Sequence, residues 1–227
     1  MSFADIAIIS LLGAVLGLDT VSFPQAMLSR PIVACTVTAG FLGAAPAGLL
    51  LGALVEAFAL ETLPVGASRY PEWGSSSAVG GALVAQSPDY SAGSILTAVV
   101  ATLCMAWCGG WSMVQLRQLN ARWAHQRHDL VASGSRSAVI GLQLYGLSAD
   151  LVRGAIMTAV GLVIFTPVYQ RSLTHWAIDA TVTRTILIAV AGVAIAGAVH
   201  KVFHATTFTG WYFLVGLGVG LAFLVIR

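Results

Sequence analysis

The sequence predicts an all-α integral membrane protein, a polytopic helical bundle with broken and re-entrant short helices. Three observations predict it. Apolar residues make up 58% of the 227-residue chain and charged residues only 9%, against about 25% charged in a soluble domain. Mean hydropathy is +0.88. Apolar runs recur along the whole length, and the longest is interrupted by glycine and proline. So little polar side chain cannot cover a globule in water. The net charge of +2 comes with no basic run suited to a phosphate backbone, so no nucleic-acid partner is expected. The first 20 residues lack the basic region and the A-x-A site of a cleaved signal.

Residues 4–18 are apolar, with Asp5 near the start and Asp19 just beyond the end. The stretch is short for a hydrocarbon core of roughly 30 Å, so it reads as a tilted helix or one finished by the residues that follow. Gly13 and Gly17 form a small-xxx-small pair that admits a close helix neighbour; a lipid-facing role is the alternative. Residues 19–30 form a polar break holding Pro24, Gln25 and Arg30, and Pro31 suits the first turn of the next helix.

The apolar run 32–60 is too long for one straight span. Gly43-Ala44-Ala45-Pro46 interrupts it, and Pro46 both removes a backbone donor and disfavours helix at Ala45. Two half-length helices meeting at a bend are predicted. Glu56 lies well past the bend, inside the apolar run. A carboxylate facing lipid there costs about 3 kcal/mol or more, so it should face protein or a wet cavity. Broken helices with a charge between their halves commonly build transporter sites. The plainer alternative is that Glu56 pairs with an arginine such as Arg69 to lock the fold.

Residues 61–74 hold two prolines and two glycines, which exclude regular helix. Tyr70 and Trp73 offer faces for a sugar ring, and carboxylates can bind its hydroxyls. Such irregular backbone is tolerated at membrane depth only beside a cavity or inside protein; an aqueous loop with interfacial aromatics is the alternative. Ser75-Ser76-Ser77 is placed to cap a helix starting near Ala78, too short to span and so re-entrant.

Residues 95–114 carry no charge and read as a full span, with Trp107 and Trp111 as an interfacial belt. Residues 115–136 hold Arg117, Arg122, Arg127 and Arg136 against the single acid Asp129, which predicts a cytoplasmic, amphipathic and basic segment. His125 and His128 stand three apart without a zinc set around them, and no metal is expected. Asp150 and Arg153 can pair on one helix face. Residues 154–168 read as a span stopped at Pro167, with Arg171, His175, Asp179 and Arg184 in a loop. Residues 185–199 suit close helix packing; His200, Lys201 and His204 mark an aqueous end, and 208–226 form a last span. Cys35, Cys104 and Cys108 read as small core residues. No nucleophile–base pair or metal set stands at a useful spacing, so neither a catalytic residue nor a cofactor is assigned. One membrane domain covers 1–227.

Three blocks carry a resemblance. Ser29-Arg30-Pro31-Ile32-Val33-Ala34-Cys35-Thr36 follows Gln25; Gly48-Leu49-Leu50-Leu51-Gly52-Ala53-Leu54-Val55-Glu56 comes next; Pro64-Val65-Gly66-Ala67 precedes Pro71-Glu72. Their order and spacing resemble the mannose/fructose/sorbose-type enzyme IIC of the bacterial sugar phosphotransferase system (PTS). Its pattern is Q-x-x-x-S/H-R-P-[IL]-V, G-x-x-[IL]-G-x-x-[LM]-E and P-V-G-A-x-x-x-P-D, with Glu72 here in place of the usual aspartate. Arg117, Asn120 and His125 also follow a family order. The resemblance implies a multi-pass permease subunit of the bacterial cytoplasmic (inner) membrane that binds a sugar. A IID-like membrane subunit and soluble IIA/IIB phosphoryl donors would be its partners, alongside membrane lipid and further copies of the chain. Phosphoryl-carrying histidines would lie on the soluble proteins. By that implication Gln25, Glu56, Glu61, Arg69 and Glu72 line the sugar site, and Arg117, Arg122 and Arg127 dock the donor. Glu61, Arg69 and Tyr70 depart from the small or apolar residues usual in the family. Two carboxylates and an arginine could instead close into an ion-pair network, which would make the chain a transport-inactive structural subunit of another membrane complex.

Overall fold

A computed structural model describes residues 1–60, 69–87, 91–176 and 180–203, with Val215. Eight helices and no strand occur among them. The first is α1 (Phe3–Leu18), started by a capping box in which Ser2 Oγ accepts the Asp5 N–H at 3.2 Å and Asp5 Oδ2 accepts the Ser2 N–H at 2.7 Å. Its sixteen residues rise about 24 Å.

The predicted bend is present. α2 (Pro31–Phe41) and α3 (Ala45–Ala59) form a hairpin turned at Gly43, whose φ of +82° is open to glycine at no steric cost. The two helices lie almost backbone to backbone. A Cβ on Gly52 would stand 2.8 Å from both Ile32 Cα and the Pro31 carbonyl oxygen.

α4 (Trp73–Val84) is the central element, with every residue buried. It packs against α1, α2 and α3 and against the two long helices that follow. Twelve residues rise only about 18 Å, too little to cross a bilayer. Its start differs from the prediction. Glu72 is the N-cap, and its carboxylate accepts the Ser75 N–H at 3.1 Å. The three serines therefore lie inside the helix, and Ser76 Oγ donates back to the Glu72 carbonyl at 2.6 Å.

α5 (Ala92–Gln126) and α7 (Arg136–His175) are antiparallel neighbours of 35 and 40 residues, joined through the short α6 (His128–Ala132). At about 52 and 60 Å they outrun a roughly 30 Å core. The span expected over 95–114 is thus one part of a helix that continues through the basic segment, and both helices extend as an arm beyond Trp111. Nor does Pro167 stop α7, which runs on to His175 and takes in Arg171. A proline inside a helix loses a hydrogen bond and costs about 3 kcal/mol. Tertiary packing beyond it prevails: Tyr169 is fully buried, with its hydroxyl 2.5 Å from Ser94 Oγ on α5. Arg184, also expected in a loop, lies in α8 (Ala180–Phe203), as do His200 and Lys201. Asp179, His204 and, apart from Val215, the predicted last span lie outside the described residues.

The small faces work as predicted for α1. A Cβ on Gly13 would overlap Thr158 of α7, and one on Gly154 of α7 would stand 2.9 Å from Ala14 Cα. The cysteines divide: Cys35 is buried, but Cys104 and Cys108 are exposed on α5. They share that outer face with Val100, Trp107 and Trp111. On α7, Val152, Ile156, Val160, Val163 and Ile164 are also exposed. Such a continuous apolar exterior exceeds what a water-soluble monomer shows and is solvated by hydrocarbon. The protein is an all-α integral membrane protein.

Candidate functional site

Three polar assemblies meet around the chain between α1 and α2. The first closes the open end of the α2–α3 hairpin. Arg30, the N-cap of α2, donates from Nε to Glu56 Oε1 at 2.7 Å, and its Nη2 pairs with the same oxygen. Glu56 Oε2 accepts the Ile32 N–H at 3.2 Å. Glu56 thus satisfies a cation and a free N–H at a helix N-terminus, where negative charge is favoured. Its arginine is Arg30 and not Arg69. The Arg69 guanidinium instead lies 5.6 Å from the centre of the Trp107 ring, a cation–π distance.

The second assembly surrounds Glu72, which is fully buried. The Glu72 N–H donates to the Ala106 carbonyl of α5 at 2.9 Å, so the start of α4 is fastened to α5. Its carboxylate accepts from the Ser75 N–H and hydroxyl. Glycines make the space: a Cβ on Gly109 would stand 2.9 Å from Glu72 Cβ, and one on Gly17 3.5 Å from Glu72 Oε1. Arg153 of α7 reaches in, its Nη1 3.9 Å from Glu72 Oε2. That nitrogen also donates to Ser112 Oγ at 3.2 Å, while Arg153 Nε donates to Asp150 Oδ1 at 2.9 Å. The predicted pairing of Asp150 with Arg153 is therefore formed. One guanidinium serves two buried carboxylates, and Ser22 Oγ donates to Asp150 Oδ2 at 2.5 Å.

The third assembly is the connecting segment itself. Asp19 is 2% exposed. Its Oδ1 accepts the Ala26 N–H at 2.6 Å and its Oδ2 accepts the Ser29 N–H at 2.8 Å. Gln25 and Met27 adopt φ of 59° and 62°. The Gln25 side chain is exposed, with Nε2 donating to the Val21 carbonyl at 2.9 Å.

This segment links the other two assemblies, through Ser22 to the Glu72 network and through Arg30 to Glu56. The structure thereby relates Gln25, Glu56 and Glu72. Arg69 stands apart on Trp107, and Glu61 and residues 62–68 of the predicted turn lie outside the described residues. Sequence reasoning gave no site role to Asp19, Ser22, Ser112, Asp150 or Arg153, and placed Arg30 only in the polar break before α2. The available signal was Asp150 and Arg153 beside a predicted span, where paired ionisable groups merit a functional reading. Among the described residues no group of three or more His, Cys, Asp or Glu could hold a metal ion.

The candidate docking arginines differ from one another. Arg117 donates to the Tyr70 hydroxyl and lies 4.9 Å from that ring's centre; Arg127 lies 5.0 Å from the centre of the Tyr145 ring. Arg122 is exposed on the arm.

The exposed Gln25 amide carries a donor and an acceptor, whereas the Glu72 carboxylate and the Ser75 and Ser76 hydroxyls are buried and bonded within the protein. A solved structure described as a membrane protein superposes with a TM-score of 0.73 at 19% identity, covering 100% of this chain and 95% of that one, and so shows the shared fold. The PTS system sorbose-specific EIIC component of Lacticaseibacillus casei is 24% identical over 173 residues, which cover 76% of this chain and 61% of that relative. The aligned region thus spans less than two thirds of the relative's length. The family model of the PTS system sorbose-specific IIC component matches residues 3–217, and the chain belongs to that family.

Proposed function

We propose that the chain is the membrane subunit of a PTS-type sugar permease. It binds a sugar and moves it across the bacterial cytoplasmic membrane, with coupled phosphorylation by separate IIA/IIB proteins. The observation that carries this reading is the connecting segment 19–30, which bears Gln25 and is tied at one end to the Glu72 network and at the other to Glu56. Gln25, Glu56 and Glu72 bind sugar hydroxyls, with Glu61 and Arg69 contributing from the segment between α3 and α4. A carboxylate suits this task because it accepts from two hydroxyls at once. The phosphoryl group stays on the soluble proteins. Translocation is an elevator-like or rocking movement of the 25–90 region against the rest of the chain. A IID-like subunit is the membrane partner. Residues 115–136 form the cytoplasmic docking segment; of its docking arginines Arg117, Arg122 and Arg127, Arg122 is the one that stacks on no aromatic ring among the described residues.

The test is sugar binding in detergent by titration calorimetry across a panel of hexoses. Glu56→Gln is expected to abolish binding while the protein still elutes as a folded species. Undiminished binding by that variant removes Glu56 from the site.

A second reading is favoured by one observation: Glu56 and Glu72 each already face an arginine, Arg30 and Arg153. Closed pairs of this kind suit a transport-inactive IIC-like chain that serves as a structural subunit of another membrane complex. Purification from mild-detergent membranes with identification of all partners separates the two. IID and IIB proteins support transport; an unrelated membrane complex without them supports the structural role.

A further inference from the structure

Two residues of the segment between α1 and α2, Gln25 and Met27, are left-handed without being glycine. Side chains seldom adopt that conformation, and it persists only where the surroundings over-determine it. Asp19 supplies that constraint. It caps the C-terminus of α1, where the helix dipole repels a carboxylate, and it is buried there. Both of its oxygens are nevertheless used, on the N–H groups of Ala26 and Ser29. One donor directly follows Gln25, and the two bracket Met27. A carboxylate in so unfavourable a place, spent on the backbone of the strained stretch, has that stretch as its purpose.

We propose that Asp19 is a positioning residue for the sugar site: it holds the 25–29 backbone, with Gln25 and Met27 in the left-handed region, and so presents the exposed Gln25 side chain to substrate. The inference rests on the placement of Gln25 in that site. Ser22, bonded to Asp150, anchors the near end of the segment, and Arg30, bonded to Glu56, anchors the far end. Asp19 governs the part between them, where no other element of secondary structure dictates the course of the chain.

The test uses the full-length protein in detergent, with hydrogen exchange over residues 20–30 and sugar affinity as separate readouts. Asp19→Asn keeps the volume but loses the charge and one acceptor. Exchange over 20–30 is expected to accelerate about tenfold and the sugar Kd to rise about tenfold. Adding Met27→Gly, which enters the left-handed region freely, should recover affinity by about threefold or more. A lost ligand or a general loss of folding would not be rescued in that way. Unchanged exchange overturns the proposal. So does accelerated exchange with unchanged affinity, or a failure of the glycine to rescue. Met27→Val probes the same constraint from a side chain that is 74% exposed, and is expected to weaken binding about tenfold in a protein that folds; unchanged binding overturns the proposal if Asp19→Asn does not accumulate. An unaltered chain that takes no sugar overturns the sugar reading itself, and Asp19 is then an anchor of the segment and nothing more.

Discussion

The α1–α4 half and the α5–α7 pair solve the same problem in opposite ways. In the first half, helices too short to cross a bilayer are packed so tightly that backbones touch: Gly52 on the start of α2, Gly74 on Leu16, Gly81 on Cys35. Asp19, Glu56 and Glu72 accept the otherwise free N–H groups of Ala26, Ser29, Ile32 and Ser75, while the buried Thr38 and Ser77 hydroxyls and the Trp73 indole N–H find no partner among the described residues. In the second half, two long helices satisfy their own backbone, and α7 leaves most of its apolar surface to lipid, with 28% of its most apolar stretch buried against 61% for α5. Stability in the first half comes from contact geometry that leaves no room for a Cβ at Gly48, Gly52, Gly74 or Gly81. In the second it comes from helix formation in hydrocarbon on the outer face, while Gly109, Gly110 and Gly154 are as tightly held where they meet the first half. All three polar assemblies lie in or against the tightly packed half.

Substituting glycines with valine should break the comparison most sharply. Gly52→Val places a branched side chain where even a Cβ stands 2.8 Å from the backbone of α2. It should cost upwards of about 3 kcal/mol and leave little monodisperse protein on size-exclusion chromatography. Gly141→Val on α7, where a Cβ would meet only the flexible Arg127 Nη1 at 3.6 Å, should leave the profile nearly unchanged. Equal losses for both would show that the two regions do not differ in packing as described.

The buried charges come next. Arg153→Ala leaves Glu72 and Asp150 without their shared cation. Removing one partner of a buried pair costs about 3–5 kcal/mol, so the thermal midpoint should drop by roughly 10 °C. Arg122→Ala, exposed on the arm, should leave it within a degree or two. A small effect of Arg153→Ala would mean that water or the serines already compensate the two carboxylates.

How much of this was legible in the sequence follows from the same contrast. The bend at residues 43–46, the small-residue approach at Gly13 and the Asp150–Arg153 pair were legible because each is local: glycine, proline and i,i+3 spacing act within a few residues. The partner of Glu56 was not. Arg30 and Arg69 were both available, and only the closing of the hairpin decides for Arg30. The start of α4 was misread because a glutamate N-cap competes with a serine run that looks better suited to the task. Burial of the cysteines was illegible for a membrane-specific reason. Lipid-facing and core-facing positions are equally apolar, so Cys35 and Cys104 look alike in sequence. Pro167 carries a local penalty that is legible in the sequence, whereas the packing of Tyr169 beyond it, which lets α7 continue, is not.

That last point supplies the smallest expected effect. If Tyr169 helps carry α7 past Pro167, its hydroxyl contact with Ser94 joins the two long helices where the second lacks a backbone bond. Tyr169→Phe removes the hydroxyl and keeps the ring, which is fully buried. Interhelical hydrogen bonds in membranes average about 0.6 kcal/mol, so the thermal midpoint should drop by only about 1–3 °C. Single losses of that size are easily confused with altered packing. A double-mutant cycle with Ser94→Ala isolates the shared part. If the contact holds, the double variant should be no worse than the more damaging single one, with a coupling near 0.6 kcal/mol. Strictly additive losses would show that ring burial alone carries α7 past the proline. The long-helix half would then owe its course to apolar packing throughout, and the contrast with the α1–α4 half would sharpen rather than weaken.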